Sequence, residues 1–393
     1  MGFRTSSRKK YIYRSVAREI STFSSYYDKF IQWDIPETDP GSLFEEIICP
    51  EKKKLLRLEE LPDLSSEKEK RTIILIDDAL NRKVDFQQAL ADIRTKVSRT
   101  ARIVAVVYNP YPGWLSELKS TAKLSGFQVV RARSAGYLFA KIVVFRPVIA
   151  EKEKPSISVI IPARNEKGNI ENVLKKMPDF SGAEREIIFI EAHSKDGTWE
   201  EIQRVQKIYS SKFKIKAFQQ EGRGKSDAVR LGCSRATCDL IVILDADLTV
   251  PPEKLLLFYD AYCAGLADFI NGNRLVYSME DRAMKALNRV GNVISAKAVS
   301  FVLDVPLGDT LCGTKLFTRH DYKRFSAWRE NFGDLDPFGD FELLFPAAIL
   351  SLGITDIPVH YLARKYGTSN IRRFRHTLML IKMVFVGFFR IKL

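Results

Sequence analysis

Leu240-Ile241-Val242-Ile243-Leu244-Asp245-Ala246-Asp247 is an apolar run that ends on two carboxylates, with Leu248-Thr249-Val250-Pro251-Pro252 after it. A short, unbroken apolar run reads as a strand buried on both faces, as in a parallel sheet. Carboxylates just past the C-terminal end of such a strand stand where open α/β sheets bind ligands. Asp245 and Asp247 offer hard oxygen donors, which suit Mg2+ or Mn2+ shared with substrate phosphates. Taken alone, an Asp-x-Asp is more readily a solvated turn, so the reading depends on its surroundings.

Those surroundings repeat one pattern. Ser156 to Ile161 reads as a strand stopped at Pro162, and Asn165 to Lys176 as a capped amphipathic helix. Glu186-Ile187-Ile188-Phe189-Ile190-Glu191 is a second strand ending on a carboxylate. A turn, Ala192 to Thr198, then leads to a helix around Trp199 to Tyr209, and a third strand follows at Ile215 to Phe218. Strand and helix alternating at this spacing predict right-handed βαβ units. Glu221-Gly222-Arg223-Gly224-Lys225-Ser226-Asp227-Ala228 follows. Its glycines allow close approach of a polyphosphate, and Arg223 and Lys225 supply charge. It lacks Walker A spacing.

Four blocks, Val159 to Glu166, Glu191 to Thr198, Gly222 to Ala228 and Asp245 to Asp247, resemble in order the signature blocks of family 2 glycosyltransferases. Leu311 to Phe317, Gly339 to Leu344 and Arg364 to Asn370 are similar to blocks of the polyprenyl-phosphate sugar transferases, which include dolichol-phosphate mannose synthase. The resemblance covers Ser156 to Phe374. It implies a GT-A nucleotide-sugar-binding domain, and hence an α/β fold with a mostly parallel sheet preceded by a smaller α/β domain. It implies a metal-dependent, inverting hexosyl transfer from a nucleoside-diphosphate sugar to a polyprenyl phosphate or related acceptor. Asp245 and Asp247 would hold Mg2+ or Mn2+. Pro162, Arg164, Glu166, Glu191 and Asp196 would surround base and ribose, and Arg223, Lys225, Asp227 and Asp245 would line the donor. Asp340 is the candidate base and Glu342 the second; a helix-cap role is the plain alternative for Asp340. Arg364 with Arg372 or Arg373 would grip an acceptor phosphate. Family members usually carry paired aspartates where this chain has Glu191-Ala192, which leaves the choice of nucleotide open.

Sixty-two basic against 48 acidic residues give the 393-residue chain a net charge of +14. From Tyr361 to Leu393 there is no acidic residue, and eight basic ones accompany the apolar run Leu378 to Phe389. That run is short for a bilayer span, which needs about 20 residues. Residues 375–393 therefore read as a basic, apolar helix for an anionic membrane surface, or else as a helix packed on the catalytic domain. No nucleic-acid motif accompanies the charge, so nucleic acid is not expected as a partner. The five cysteines make no metal pattern and fit a reducing compartment, and no apolar signal segment opens the chain. A cytoplasmic protein, peripheral at the inner membrane face, is the expectation. Two alternatives stand beside it: a soluble glycosyltransferase with a sugar or small hydroxyl acceptor, and a silent nucleotide-sugar-binding module.

Residues 1–150 read separately. Strands at Thr72 to Ile76, Arg102 to Tyr108, Phe127 to Arg133 and Leu138 to Phe145, with helices at Phe86 to Val97 and Gly113 to Leu124, weakly resemble the second half of a class I methyltransferase sheet. No Gly-x-Gly-x-Gly loop precedes them, so a degenerate domain without S-adenosylmethionine is expected. Glu151 to Pro155 is a charged linker to the 156–374 domain.

Overall fold

The computed structural model describes residues 3–33, 41–67, 69–80, 84–136, 139–277, 286–329, 336, 339–364, 366–367 and 373–392. The chain forms two units: Met1–Ile149 with Ile349–Gly353, and Ala150–Ala348 with Ile354–Leu393.

In the first unit the elements are α1 (Phe3–Ser24), β1 (Lys29–Trp33), α2 (Gly41–Glu46), β2 (Glu51–Leu55), β3 (Thr72–Ile76), α3 (Phe86–Lys96), β4 (Arg102–Tyr108), α4 (Trp114–Leu124), β5 (Phe127–Ala135) and β6 (Ala140–Pro147). Its sheet runs β2-β1-β3-β4-β6-β5, with β6 antiparallel to both neighbours. The sequence reading found β3 to β6 but neither β1 nor β2. The physical reason is visible in β2, Glu-Lys-Lys-Lys-Leu: it is an edge strand with Glu51, Lys53 and Lys54 exposed, so it carries no apolar pattern.

The second unit is built on β7 (Ile157–Ala163), α5 (Lys167–Lys175), β8 (Arg185–Glu191), α6 (Thr198–Ile208), β9 (Lys214–Gln219), α7 (Lys225–Arg235), β10 (Leu240–Ile243), α8 (Leu255–Cys263) and β11 (Phe269–Asn273). It continues through α9 (Ala286–Leu303), β12 (Lys315–Thr318), α10 (Arg319–Arg329), α11 (Phe341–Ile349), β13 (Ile354–Pro358) and α12 (Arg373–Gly387). The sheet order is β13-β11-β12-β10-β7-β8-β9, and only β12 runs antiparallel to its neighbours. The expected α/β class with a mostly parallel sheet is what the chain adopts.

Burial explains why these strands form. All four residues of β10 are buried, as are Ile157, Val159, Ile160, Ile161 and Ile187 to Ile190 on the neighbouring strands. Each such side chain contributes roughly 1.5–3 kcal/mol when removed from water. β7, β8 and β10 lie side by side, so their C-terminal ends bring Glu191, Ala163 and Asp245 to one edge of the sheet. The loops after those ends carry the candidate site.

At the C-terminus, α12 continues into a short π-helical turn, Phe388–Lys392. Met383 and Ile391 are buried, while Ile381, Phe385 and Phe389 are exposed. Residues 375–393 were read either as a helix for a membrane surface or as one packed on the catalytic domain, and the structure shows packing on one face. One face packs against α9, where a Cβ added to Gly387 would lie 3.3 Å from Val302, and the other face stays open. No described helix is long and apolar enough to cross a membrane.

Candidate functional site

Asp247 is oriented by its own loop. Its Oδ1 accepts hydrogen bonds from the Thr249 amide (3.0 Å) and hydroxyl (2.8 Å), a local Asx-type turn. Leu248 supports the turn with a left-handed φ of 58°. The second oxygen, Oδ2, is thereby directed to Arg364, whose Nη2 lies 2.5 Å away. The same guanidinium donates through Nη1 to Oε1 of Glu166 at 3.0 Å. One arginine therefore joins the ends of β7 and β10.

Asp245 has a different cation. Lys225, the first residue of α7, places Nζ 2.5 Å from Oδ1 and 2.8 Å from Oδ2. Burial would raise the Asp245 pKa, but Lys225, Arg274 and Lys315 together pull it below the ordinary aspartate value. Burial would likewise lower the pKa of Lys225; Asp245 and Asp340 reverse this and hold it above the usual lysine range. Gly313 closes over the pair. A Cβ at that position would sit 2.2 Å from Lys225 Nζ and 2.6 Å from Asp245 Oδ2, so any side chain there must displace one of the pair.

Glu166 stands at the start of α5 but does not cap it through its side chain. Asn165 takes a φ of 55° instead, and the amide of Lys167 donates to Asp196 Oδ2 at 3.1 Å. The expected cap is thus supplied across the loop by Asp196, which also accepts from the Thr198 amide at 3.1 Å and from Tyr366 Oη at 3.1 Å. Burial would raise the Asp196 pKa, but the bonds from Thr198, Lys167 and Tyr366 hold it below the usual value. The Glu166 carboxyl is pushed up to about 7 by burial, with Asn169 and Arg364 offsetting part of the effect.

The remaining candidates divide. Pro162 is half-buried at the end of β7, and Arg164 and Arg223 are exposed beside the site. Glu191 is buried and accepts from the Ser194 amide at 2.5 Å and from Gln219 Nε2 at 3.3 Å, so this carboxylate shapes the loop after β8. The carboxylate of Asp227 packs against Gly222, where an added Cβ would lie 2.5 Å from it.

Asp340 immediately precedes α11. The cap of that helix is Asp336, whose Oδ2 accepts from the amides of Phe341 (2.7 Å) and Glu342 (3.0 Å). Asp340 is left to pair with Lys315 at 2.5 Å. Glu342 forms a two-pronged pair with Arg230, one bond of which measures 3.0 Å. It lines a small hollow with Ser226, Tyr322, Arg329 and Gly339. Arg372 and the side chain of Arg373 lie outside the described residues. Sequence reasoning missed Lys315 and Tyr366. Both fall inside quoted blocks, yet a lysine opening a strand and a tyrosine following two basic residues read as solvent-facing.

Mg2+ and Mn2+ take near-octahedral oxygen sets and commonly keep phosphate and water ligands beside one or two carboxylates. Asp245 and Asp247 fit that use. Each already holds a protein nitrogen cation at 2.5 Å, so each stands where positive charge is favoured. Among the described residues no three His, Cys, Asp or Glu side chains gather into a metal cage.

Comparison with known proteins adds the following. Residues 158–325 match the glycosyl transferase family 2 model. A dolichol-phosphate mannosyltransferase of Pyrococcus furiosus is 35% identical over 122 residues, which are 30% of this chain and 33% of that protein. A dolichyl-phosphate hexose transferase of Haloferax volcanii is 28% identical over 211 residues, 53% of this chain and 83% of that one. The chain thus spans only about a third of the length of the first relative. Two solved structures are similar: glucosyl-3-phosphoglycerate synthase from Mycobacterium tuberculosis (17% identity, 61% of this chain and 81% of that one, TM-score 0.43) and the mannosyltransferase PcManGT from Pyrobaculum calidifontis (19% identity, 62% and 66%, TM-score 0.39). The chain carries a glycosyl transferase family 2 domain, and its matched span contains Glu166, Glu191, Lys225, Asp245 and Asp247.

Proposed function

We propose that this protein is a hexosyltransferase that moves a sugar from a nucleoside-diphosphate sugar, with Mg2+ or Mn2+, to a polyprenyl phosphate at a membrane surface. The observation that carries the acceptor class is the state of the two candidate bases. Asp340 is clamped by a fully buried lysine, and Glu342 is held in a two-pronged pair with Arg230. A carboxylate whose oxygen is engaged by a cation in a fixed pair is not positioned to take a proton from an acceptor hydroxyl. A hydroxyl acceptor needs such a base; a phosphate oxygen is already ionised and does not. This favours the lipid phosphate over the soluble-acceptor reading. The names of the two similar transferases agree with it.

A divalent cation would be held by Asp245 and Asp247 and would offset charge on the diphosphate. The chain's own residues do the rest. Lys225 and Arg364 surround the place of the diphosphate with charge-assisted donors. Glu166 and Asp196 lie on the side proposed for the ribose. In an inverting displacement the acceptor phosphate oxygen bonds to the anomeric carbon as the bond to the diphosphate breaks, and the nucleoside diphosphate leaves with both electrons.

The membrane part rests on two helices. Val290, Ile294 and Phe301 on α9, and Ile381 and Phe385 on α12 with Phe389 in the turn that continues it, are exposed, each set spaced along one stripe. Phe301 and Phe388 stack at 6.4 Å and join the two helices. Lys297, Lys382 and Arg390 are exposed on the same helices. Apolar stripes with basic neighbours suit an anionic interface, which fits a peripheral protein on the cytoplasmic face. The test is an acceptor screen with nucleoside-diphosphate hexoses and Mn2+. Transfer to a short-chain polyprenyl phosphate but not to its free alcohol is expected. Transfer to the alcohol or to simple sugars would favour the alternative.

A further inference from the structure

The stretch from Val359 to Gly367 crosses the site and engages its carboxylates. The amide of Val359 donates to the Asn273 carbonyl and that of Leu362 to the Thr249 carbonyl, both at 2.9 Å. Beyond these two ties Arg364 spans Asp247 and Glu166. Tyr366 then reaches Asp196 through its hydroxyl, and its ring lies against Gly168, where an added Cβ would be 2.7 Å away. Gly367, with a φ of 77°, brings the backbone against the Asn165 carbonyl, 3.2 Å from an added Cβ. Three carboxylates assigned above to cation and donor, Asp247, Glu166 and Asp196, are therefore occupied by this one strap.

We propose that the strap is an internal counter-cation: Tyr366 anchors it on Asp196 and thereby holds Arg364 on Asp247, so that a divalent cation must displace Arg364 in order to bind. The proposal rests on the metal-dependent reading of the site. Its physical basis is exclusion. Asp247 Oδ1 accepts from Thr249 and Oδ2 carries the Arg364 guanidinium, so a dication approaching Oδ2 meets a positive charge already in place while the strap is seated. Displacement leaves the guanidinium beside Glu166 and facing the incoming diphosphate, which matches its bidentate geometry. The exchange makes cation and donor binding mutually supporting: the cation releases the arginine, and the diphosphate gives it a new partner.

The experiment is a Mn2+ titration of the full chain without donor, followed by electron paramagnetic resonance of free Mn2+. A charge-assisted hydrogen bond to a carboxylate is worth enough that removing it from competition should tighten Mn2+ binding about tenfold in Arg364→Met. Tyr366→Phe, which loses only the tie to Asp196, should tighten it by a smaller factor. In the presence of saturating Mn2+, Arg364→Met should bind nucleoside-diphosphate hexose more weakly than the native chain. Mn2+ affinity unchanged or lowered in both variants overturns the strap. If Arg364→Met loses its far-ultraviolet circular dichroism, the Tyr366→Phe result decides by the same criterion. Donor binding by the native chain with unchanged Mn2+ affinity in the variants would sink the strap alone. Absence of Mn2+ binding in every protein would sink the metal reading and the strap together.

Discussion

Lys315 Nζ lies 2.5 Å from Asp340 Oδ1, and the lysine side chain has no solvent exposure. It also donates to the Cys312 carbonyl. The pair links β12 to the start of α11 and fixes the Asp340 carboxylate.

Removing one member of a buried pair leaves a charge without compensation, at about 3–5 kcal/mol. Lys315→Met is therefore expected to destabilise the protein by that order in urea denaturation. The double variant Lys315→Met with Asp340→Leu should recover a large part of it. Equal loss in single and double variants would show that the two residues do not couple.

Gly313 gives a prediction on binding. Its absent side chain is the space that Lys225 and Asp245 share. Gly313→Ala must push one of them aside, at about 1–3 kcal/mol. Weakened binding of nucleoside-diphosphate hexose in calorimetry, with the melting temperature of the unliganded protein lowered only modestly, is the expected pattern. Native donor affinity would contradict it.

Glu186 gives a prediction on pH. This fully buried carboxylate accepts from Ser158 Oγ (2.6 Å) and from the amide (2.7 Å) and hydroxyl (2.9 Å) of Thr237, and Lys216 lies 2.7 Å away. Burial would raise its pKa, but these partners outweigh it and depress the pKa to about 2. A depressed carboxylate stabilises the fold fully above its unfolded value of about 4.3, and the contribution fades as pH falls towards 2. The stability gap between the native chain and Glu186→Gln should therefore narrow by roughly 2–3 kcal/mol from pH 5 to pH 2. A constant gap in denaturant titrations across that range would refute the assignment.

For the membrane surface, point variants are better suited than truncation, because Met383 and Gly387 of α12 are packed and deleting the helix would uncover their partners. Ile294→Glu and Phe385→Glu should each weaken cosedimentation with anionic liposomes by about tenfold or more, from the loss of roughly 1.5–3 kcal/mol of apolar burial. Binding of the native chain should fall with added salt. Liposome binding unaffected by either variant would place the contact elsewhere.

Much of the sheet was legible because its strands are buried on both faces. Leu240 to Leu244 and Ile187 to Ile190 have no alternative use in water, and their carboxylate endings lie together at one edge of the sheet. Pairings across the site were not legible. Arg364 was read as a grip for an acceptor phosphate, and only the return of the chain over β10 brings it to Asp247. Lys315 was hidden for a related reason: a buried lysine has the same letter as a solvated one, and its partner is 25 residues away. The cap of α11 went to Asp336 because that carboxylate sits ahead of the helix, which freed Asp340 for the pair.

The central claim is hexosyl transfer to a lipid phosphate through Asp245 and Asp247, and mass spectrometry of the lipid product tests it most directly. Purified chain would be incubated with a panel of nucleoside-diphosphate hexoses, Mn2+ and a polyprenyl phosphate in anionic vesicles, beside Asp247→Ala. The account predicts a polyprenyl phosphohexose with one of the donors, lost on chelation and lost in Asp247→Ala while that variant keeps its native circular dichroism. A donor that binds but never yields a lipid-linked hexose, or an Asp247→Ala protein as active as the native chain, would contradict it.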